Sequence, residues 1–327
     1  MGTSIVRYST AESSSPQWGV MAGDSINPLS INSDHHKDLM ALYFSDRAAF
    51  NGSIDSATVS AGSVEFHSPL SRDIQLLAQG LNYADHRAEG GFDANIDPDG
   101  EENLLFYKAS SSIDKPNVTI LRPKGCVLLD YEIELGLVMK QGLHESTTVT
   151  DANLGDYVGG MILCNDVSAR DFMFGAPMLQ WYKGKSNRTF CPAGPVLYLL
   201  DDGEISKVYS MKLTLRMNGK IRQDASSDLL IHRPPKTLTE LSTFTDVNAG
   251  DCLLTGTPGG VLAHANLKTG LAVMLNLKND QKRKAKFIKA QQALTKFLEP
   301  GDILELEIVS ADGSIDLGKQ RNEIAEG

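Results

Sequence analysis

The stretch Cys126-Val-Leu-Leu-Asp-Tyr-Glu-Ile-Glu-Leu-Gly-Leu-Val-Met-Lys140 sets the tightest limit on what this chain can fold into. It is apolar enough to be a buried strand, yet it carries Asp130, Glu132 and Glu134 in its middle. Side chains in a strand alternate between faces, so these acids are expected to point one way, with Tyr131, Ile133 and Leu135 facing an apolar layer on the other side. Adjacent carboxylates in a partly buried strand are unfavourable unless a cation or hydrogen-bond donors compensate them.

A second run, Tyr157-Val-Gly-Gly-Met-Ile-Leu-Cys-Asn-Asp166, reads as a buried strand that ends on an acid. A turn-rich loop follows at Lys183-Gly-Lys185-Ser-Asn-Arg-Thr-Phe-Cys-Pro-Ala-Gly-Pro195. Hard oxygen ligands drawn from two strands suit Mg²⁺ or Mn²⁺. Glu-x-Glu alone would read as a solvated strand face. The apolar flanks and the second acid-terminated strand turn the reading toward a metal.

Five segments together resemble the fumarylacetoacetate hydrolase superfamily, and they stand in family order over about residues 73–310. They are Gly80-Leu-Asn-Tyr-Ala-Asp-His86-Arg-Ala-Glu89, Asp130-Tyr-Glu-Ile-Glu-Leu-Gly136, Asn165-Asp-Val-Ser-Ala-Arg-Asp171, Lys185 ahead of Cys191-Pro-Ala-Gly-Pro195, and Gly250-Asp-Cys-Leu-Leu-Thr-Gly-Thr-Pro-Gly-Gly-Val261. The resemblance implies a rolled, mixed β-sandwich with short helices, a mainly β or α+β body. It also implies Glu132, Glu134 and Asp166 as ligands of Mg²⁺ or Mn²⁺, and Lys185 as the cation that holds an enolate oxygen. Asp130 is not carried over as a ligand and is expected to accept supporting hydrogen bonds.

A chain of 327 residues suits one main body plus an appendage. We expect a small N-terminal unit over residues 1–70 and a catalytic domain over 71–327. Short strands at Ser4–Tyr8 and Gln17–Met21 and a helix from Ser33 or Asp34 to about Phe50 would make up the first. His35 and His36 at that helix start diverge in direction and read as surface residues. In the body, Asn218-Gly219 marks a hairpin, and Thr237–Phe244 reads as a helix. No apolar run reaches eighteen residues, so no membrane span is expected. The N-terminus lacks a secretion signal's apolar core. Cys126, Cys164, Cys191 and Cys252 form no Cys-x-x-Cys pair and read as reduced thiols in a cytoplasm. A net charge of −10 argues against nucleic acid as a partner. The expected partners are a small dicarboxylate or keto acid and a second copy of the chain, as a homodimer.

Residues 262–298 depart from the family pattern. Asn279 or Asp280 is expected to cap a helix running to about Leu298, with Phe287, Ala290, Leu294 and Phe297 as its apolar stripe and a strongly basic outer face. Two smaller departures are Met173, where many relatives carry Gln, and Asn187-Arg188, where many carry an aromatic-Asp pair. They point to a different substrate, with a second anionic group facing Arg188.

His86 and Glu89 are spaced to share one side of a helical turn, and a carboxylate that orients an imidazole is the arrangement a general base for water needs. The resemblance gives this pair a catalytic role. Arg170 is expected to hold a substrate carboxylate bidentately, and the Thr255-Gly256-Thr257 loop to offer hydroxyls and backbone N–H groups to an anion. Tyr83, Arg170, Gly256 and Thr257 are thus the expected substrate contacts. The implied reaction is hydrolytic carbon–carbon cleavage of a 2,4-dioxo acid, an acylpyruvate such as fumarylpyruvate, maleylpyruvate or fumarylacetoacetate, in aromatic catabolism. Isomerisation or decarboxylation of a related keto acid is the alternative, and a non-catalytic keto-acid binder the third.

Overall fold

The strands Ile133–Met139, Val158–Asn165 and Cys191–Leu199 are buried at every position, the pattern of strands covered on both faces. In the computed structural model, which describes residues 1–175, 178–265 and 278–327, they run antiparallel through the middle of a mixed, 12-stranded sheet. Beyond Cys191–Leu199 the sheet continues into Thr3–Ser9, Gln17–Ala22 and Ser25–Pro28. Beyond Ile133–Met139 it continues into Cys252–Leu254, then Leu76–Gly80, which runs parallel to it, and Leu104–Lys108. Residues 1–70, expected as a small unit, are thus joined to the body by the backbone ladder between Thr3–Ser9 and Cys191–Leu199.

One face of this sheet, through Leu135, Leu137, Met161 and Leu163, packs with Leu213, Leu215, Leu304 and Leu306 of a five-stranded sheet. The other face, through Val138, Ile162 and Leu197, packs with Leu39, Met40, Tyr43 and Phe50 of the N-terminal helices. The fold is a rolled, mixed β-sandwich with short helices. The expected hairpin joins Met211–Met217 to Lys220–Ser226, with Asn218 and Gly219 both at positive φ (52° and 75°), the backbone that a two-residue turn of this hand requires. Among the described residues, no helix is long and apolar enough to cross a membrane.

The structure corrects several expectations of local structure. The strand over 126–140 is interrupted: Leu129–Asp130 pairs with Ser168–Ala169 in a separate ladder, and the long strand starts only at Ile133. The single N-terminal helix is two, His36–Ser45 and Arg47–Gly52, because the Asp46 carboxylate accepts from Ala49 N at 2.9 Å and starts a new cap. The helix expected at Thr237 begins earlier, at Pro234, where proline at the first turn costs no hydrogen bond. Part of the added segment, residues 266–277, lies outside the described residues. The rest forms the helix Asp280–Gln292, with the Asn279 side chain accepting from Lys282 N at 2.9 Å. Because it stops at Gln292, its inward face is Arg283, Phe287 and Gln291, while Leu294 is 46% exposed and Phe297 is buried beyond the helix end.

His36 is the clearest reversal. It is fully buried, with Nδ1 facing Ser71 Oγ at 2.9 Å and Nε2 facing Gly250 O at 2.9 Å. Burial, opposed by the hydrogen bond to Gly250, lowers its pKa to about 4. The unfolded chain, with an ordinary imidazole near 6.5, therefore binds the extra proton first, and stability falls as pH drops from about 6.5 towards 4. At pH 5 this linkage amounts to about 2 kcal/mol. Denaturant unfolding of the wild type and of His36→Gln at pH 7 and pH 5 checks it: the variant should be less stable at pH 7 but lose about 2 kcal/mol less on acidification. Parallel losses in the two proteins would contradict the assignment.

Candidate metal centre and active-site cavity

Glu132, Glu134 and Asp166 come together where the central strands begin and end. Ile133 pairs with Asn165 and Glu134 with Cys164 across the ladder, so the last residues of one strand meet the first of its neighbour. One carboxylate oxygen from each acid lies within 4.8 Å of the others, and all three residues are buried.

The compensation demanded by this burial is visible atom by atom. Lys185 Nζ donates to Glu132 Oε2 at 2.6 Å and to Asp166 Oδ2 at 2.5 Å. Lys108 Nζ donates to Asp166 Oδ1 at 2.6 Å and to Val167 O at 3.3 Å. Arg170 binds Asp130 Oδ2 through Nε at 2.9 Å and Glu132 Oε1 through a terminal nitrogen at 2.5 Å. Asp130 also accepts from the backbone N–H groups of Tyr131, Leu262 and Ala263, at 2.9, 3.0 and 3.1 Å. The carboxylate outside the expected ligand set thus ties the strand to the loop after Val261 and to the Arg170 helix.

Burial works to raise the Glu132 carboxyl, but the charges of Lys185 and Arg170 outweigh it and hold the group well below the usual carboxylate range. Glu134 goes the other way. Burial, followed by the charges of Asp166 and Glu132, pushes it well above its ordinary value. Its one hydrogen bond among the described residues comes from Gly256 N, at 2.8 Å. The Tyr83 hydroxyl is buried without a hydrogen-bond partner among the described residues, and burial together with the charge of Glu134 pushes it up too. An under-compensated carboxylate beside two others, with an orphaned hydroxyl near, is the donor set that a divalent oxygen-seeking cation fits. Glu132, Glu134 and Asp166 would hold it.

His86 sits on the short helix Ala84–Glu89, with Nδ1 at 3.4 Å from Glu89 Oε2. The other Glu89 oxygen accepts from Gly260 N at 2.7 Å, which anchors the carboxylate. Gly260 has φ 105°, and a Cβ there would stand 1.8 Å from Arg222 O, so only glycine serves. The helix is set by Asn82, whose side chain donates to Thr255 O at 2.8 Å and to His232 O at 3.1 Å. The preceding Leu81 is a non-glycine residue at φ 54°, a strained conformation of the sort that collects at sites where geometry is over-determined.

A cavity of about 610 Å³ joins these pieces: Glu132, His86, Arg170, Lys185 and Thr257 all line it. The expected substrate contacts divide within this frame. Arg170 borders the cavity while bound to Asp130 and Glu132. Gly256 has given its N–H to Glu134, and the Thr257 hydroxyl donates to Ile133 O at 2.9 Å while accepting from Gln223 Nε2 at 2.8 Å. Tyr83 is buried behind the site. Met173 lines the cavity, whereas Arg188 is exposed and is not among its lining residues. Lys108, Gln223 and Asn82 were not singled out from the sequence. Two hints were available: Lys108 ends a short strand as an unexplained cation in apolar surroundings, and Asn82 lies inside the segment 80–89 that resembles the family.

Residues 75–325 match the model of the fumarylacetoacetate (FAA) hydrolase C-terminal family. The chain belongs to the fumarylacetoacetate hydrolase family. It is 34% identical over 199 residues to a mitochondrial oxaloacetate tautomerase of Bos taurus, covering 61% of this chain and 60% of that protein's length. It is also 34% identical over 261 residues to a putative hydrolase of Burkholderia ambifaria, covering 79% of this chain and 87% of the relative. Among solved structures, a probable 2-hydroxyhepta-2,4-diene-1,7-dioate isomerase from Mycobacterium abscessus superposes with a TM-score of 0.72 at 26% identity, covering 100% of this chain and 99% of that one. Members of the family are enzymes, with isomerases, tautomerases and hydrolases among them.

Arg170 neutralises two acids at once, so its removal should leave two buried charges exposed to each other. Arg170→Leu is expected to cost roughly 3–5 kcal/mol in denaturant unfolding. Combining it with Asp130→Asn should cost less than the sum of the single changes, with a coupling on the order of 0.5–3 kcal/mol. Strict additivity would show that the pair observed here carries no energy.

Proposed function

We propose that this protein is a divalent-metal-dependent hydrolase that cleaves a carbon–carbon bond of a 2,4-dioxo acid of the acylpyruvate type. The observation that carries the reading is His86, which lines the same cavity as Glu132 and Lys185 and is paired with Glu89, itself anchored by Gly260. The same pair would equally serve to take a carbon-bound proton from a keto acid, so the fate of water is what separates hydrolysis from isomerisation.

A divalent cation held by Glu132, Glu134 and Asp166 supplies positive charge for the oxygens of a 2-oxo acid. Lys185 adds a second, fixed positive charge: burial works against it, but Asp166 and Glu132 outweigh that and raise its pKa, so it stays protonated. His86, its ring turned by Glu89, takes a proton from water as the oxygen adds to the carbonyl remote from the carboxylate. Collapse of the adduct breaks the bond between that carbon and the neighbouring methylene. The electron pair passes into a pyruvate enolate whose oxygen Lys185 stabilises. The proton on His86 then goes to the enolate carbon, giving pyruvate and a carboxylic acid.

Keto–enol isomerisation is the second reading, favoured by the tautomerase and isomerase names of the relatives. It uses the same enolate and omits the water. Turnover in ¹⁸O-labelled water separates the two. Hydrolysis puts the label into the carboxylic acid, and His86→Ala lowers kcat by roughly 10²–10⁴-fold with binding little changed. Lys185→Met should damage both reactions. An unlabelled acid, or an isomer without cleavage, would overturn the hydrolase reading.

A further inference from the structure

Away from the carboxylates the cavity changes character. Its apolar lining includes Leu81, Phe92, Leu104, Leu179, Trp181 and Phe287. Phe92 and Leu179 are exposed large apolar groups, 56% and 53% accessible, and side chains of this kind leave little cost to covering them with an apolar ligand.

The charges along this part are not arranged for an anion. Each arginine and lysine among the described lining residues already faces a carboxylate: Arg170 and Lys185 as given above, and Arg87 at 3.4 Å from Glu101. Glu101 and Glu102 add two acids to the lining. The Gln291 amide is engaged in a reciprocal pair with His264, accepting from its N–H at 3.1 Å and donating to its carbonyl at 2.6 Å. A terminal carboxylate on the substrate would meet apolar walls and acids there.

Phe287 and Gln291 bring the helix Asp280–Gln292 into this lining. Phe287 contacts the Phe174 ring at 5.6 Å between centroids, and Lys284 Nζ lies 3.3 Å from Asp171 Oδ2, which docks the helix on the segment bearing Arg170 and Met173. Met173, where the sequence departs from many relatives, faces the same cavity.

We infer that this site selects a 2-oxo acid bearing one carboxylate and an apolar tail, an alkyl or aryl group, over a substrate that ends in a second carboxylate, and that Phe287 on the helix Asp280–Gln292 helps to set this choice. The inference rests on the 2-oxo acid reading of the preceding section and specifies its substrate class. It also departs from the second anionic group expected at Arg188.

The test measures binding rather than turnover, by calorimetry in the presence of Mg²⁺, with two six-carbon probes that lack the 4-oxo group to which water adds: 2-oxohexanoate and 2-oxoadipate. The first should bind at least about tenfold more tightly. Affinity should also rise by roughly three- to fourfold per methylene from 2-oxobutanoate to 2-oxooctanoate, the increment expected for burying each CH₂. Phe287→Ala should flatten that rise while leaving 2-oxobutanoate unaffected. Because Phe287 is buried and its loss can disturb folding, Leu179→Arg at an exposed lining position gives an independent reading and should shift the preference toward 2-oxoadipate. Equal or tighter binding of 2-oxoadipate by the wild type would overturn the inference while leaving the hydrolase reading to the labelled-water experiment. Failure of every probe to bind would overturn both the apolar-tail inference and the 2-oxo acid reading beneath it.

Discussion

The buried charge cluster is the constraint on which the rest of the structure depends. Asp130, Glu132, Glu134 and Asp166 are all withdrawn from water, and Lys108, Arg170 and Lys185 are withdrawn with them. Burying one such ion alone costs several kcal/mol, and the interior tolerates it only where opposite charges and hydrogen bonds are fixed in place. Among the described residues, four acids face three cations, and the ion pairs leave Glu134 without a cation of its own. A divalent cation held by Glu132, Glu134 and Asp166 would supply further positive charge, at a point where one oxygen from each acid lies within 4.8 Å of the others.

The sheet makes this arrangement possible. Its central strands are covered on both faces by apolar layers, which exclude water and fix the backbone. The acids stand at strand ends, where the chain leaves the ladder and side chains from several segments can converge. Lys108 closes one strand, Asp166 follows another, and Glu132 precedes a third. Asp130 then fastens the loop at Leu262 and Ala263 to the same cluster. Just beyond that loop, His264 pairs with Gln291 of the helix carrying Phe287, so described contacts link the electrostatic centre to the apolar lining of the cavity.

Much of this was legible in the sequence, for reasons that can be named. Carboxylates inside apolar runs violate the usual partition, and the violation pointed to Asp130, Glu132, Glu134 and Asp166; the family resemblance narrowed the ligand set to the last three. The spacing of His86 and Glu89 placed them on one side of a turn, and they lie there. Lys108 and Gln223 escaped notice because each is a single polar residue in an unremarkable strand, and Asn82, although inside the segment 80–89, was given no role; their meaning comes from partners such as Asp166, Thr257 and Thr255 far along the chain. His36 was misplaced for the same reason: Gly250 O and Ser71 bury it, and neither is near in sequence. The helix at 280–292 was placed by its Asn279 cap, but its inward face is built on Arg283 and Gln291, polar residues that a hydrophobic stripe cannot find.

The central claim is that the buried acids are built to hold one divalent cation and that Glu134, which has no cation partner among the described residues, depends on it most. Calorimetric titration of Mn²⁺ into the wild type, Glu134→Gln and Asp130→Asn tests this most directly. The account predicts one ion per wild-type chain. It predicts a loss of more than about 100-fold in affinity for Glu134→Gln, and a smaller loss, roughly the 10–100-fold typical of an outer supporting partner, for Asp130→Asn. Binding by Glu134→Gln as tight as that of the wild type, with its fold intact, would contradict it.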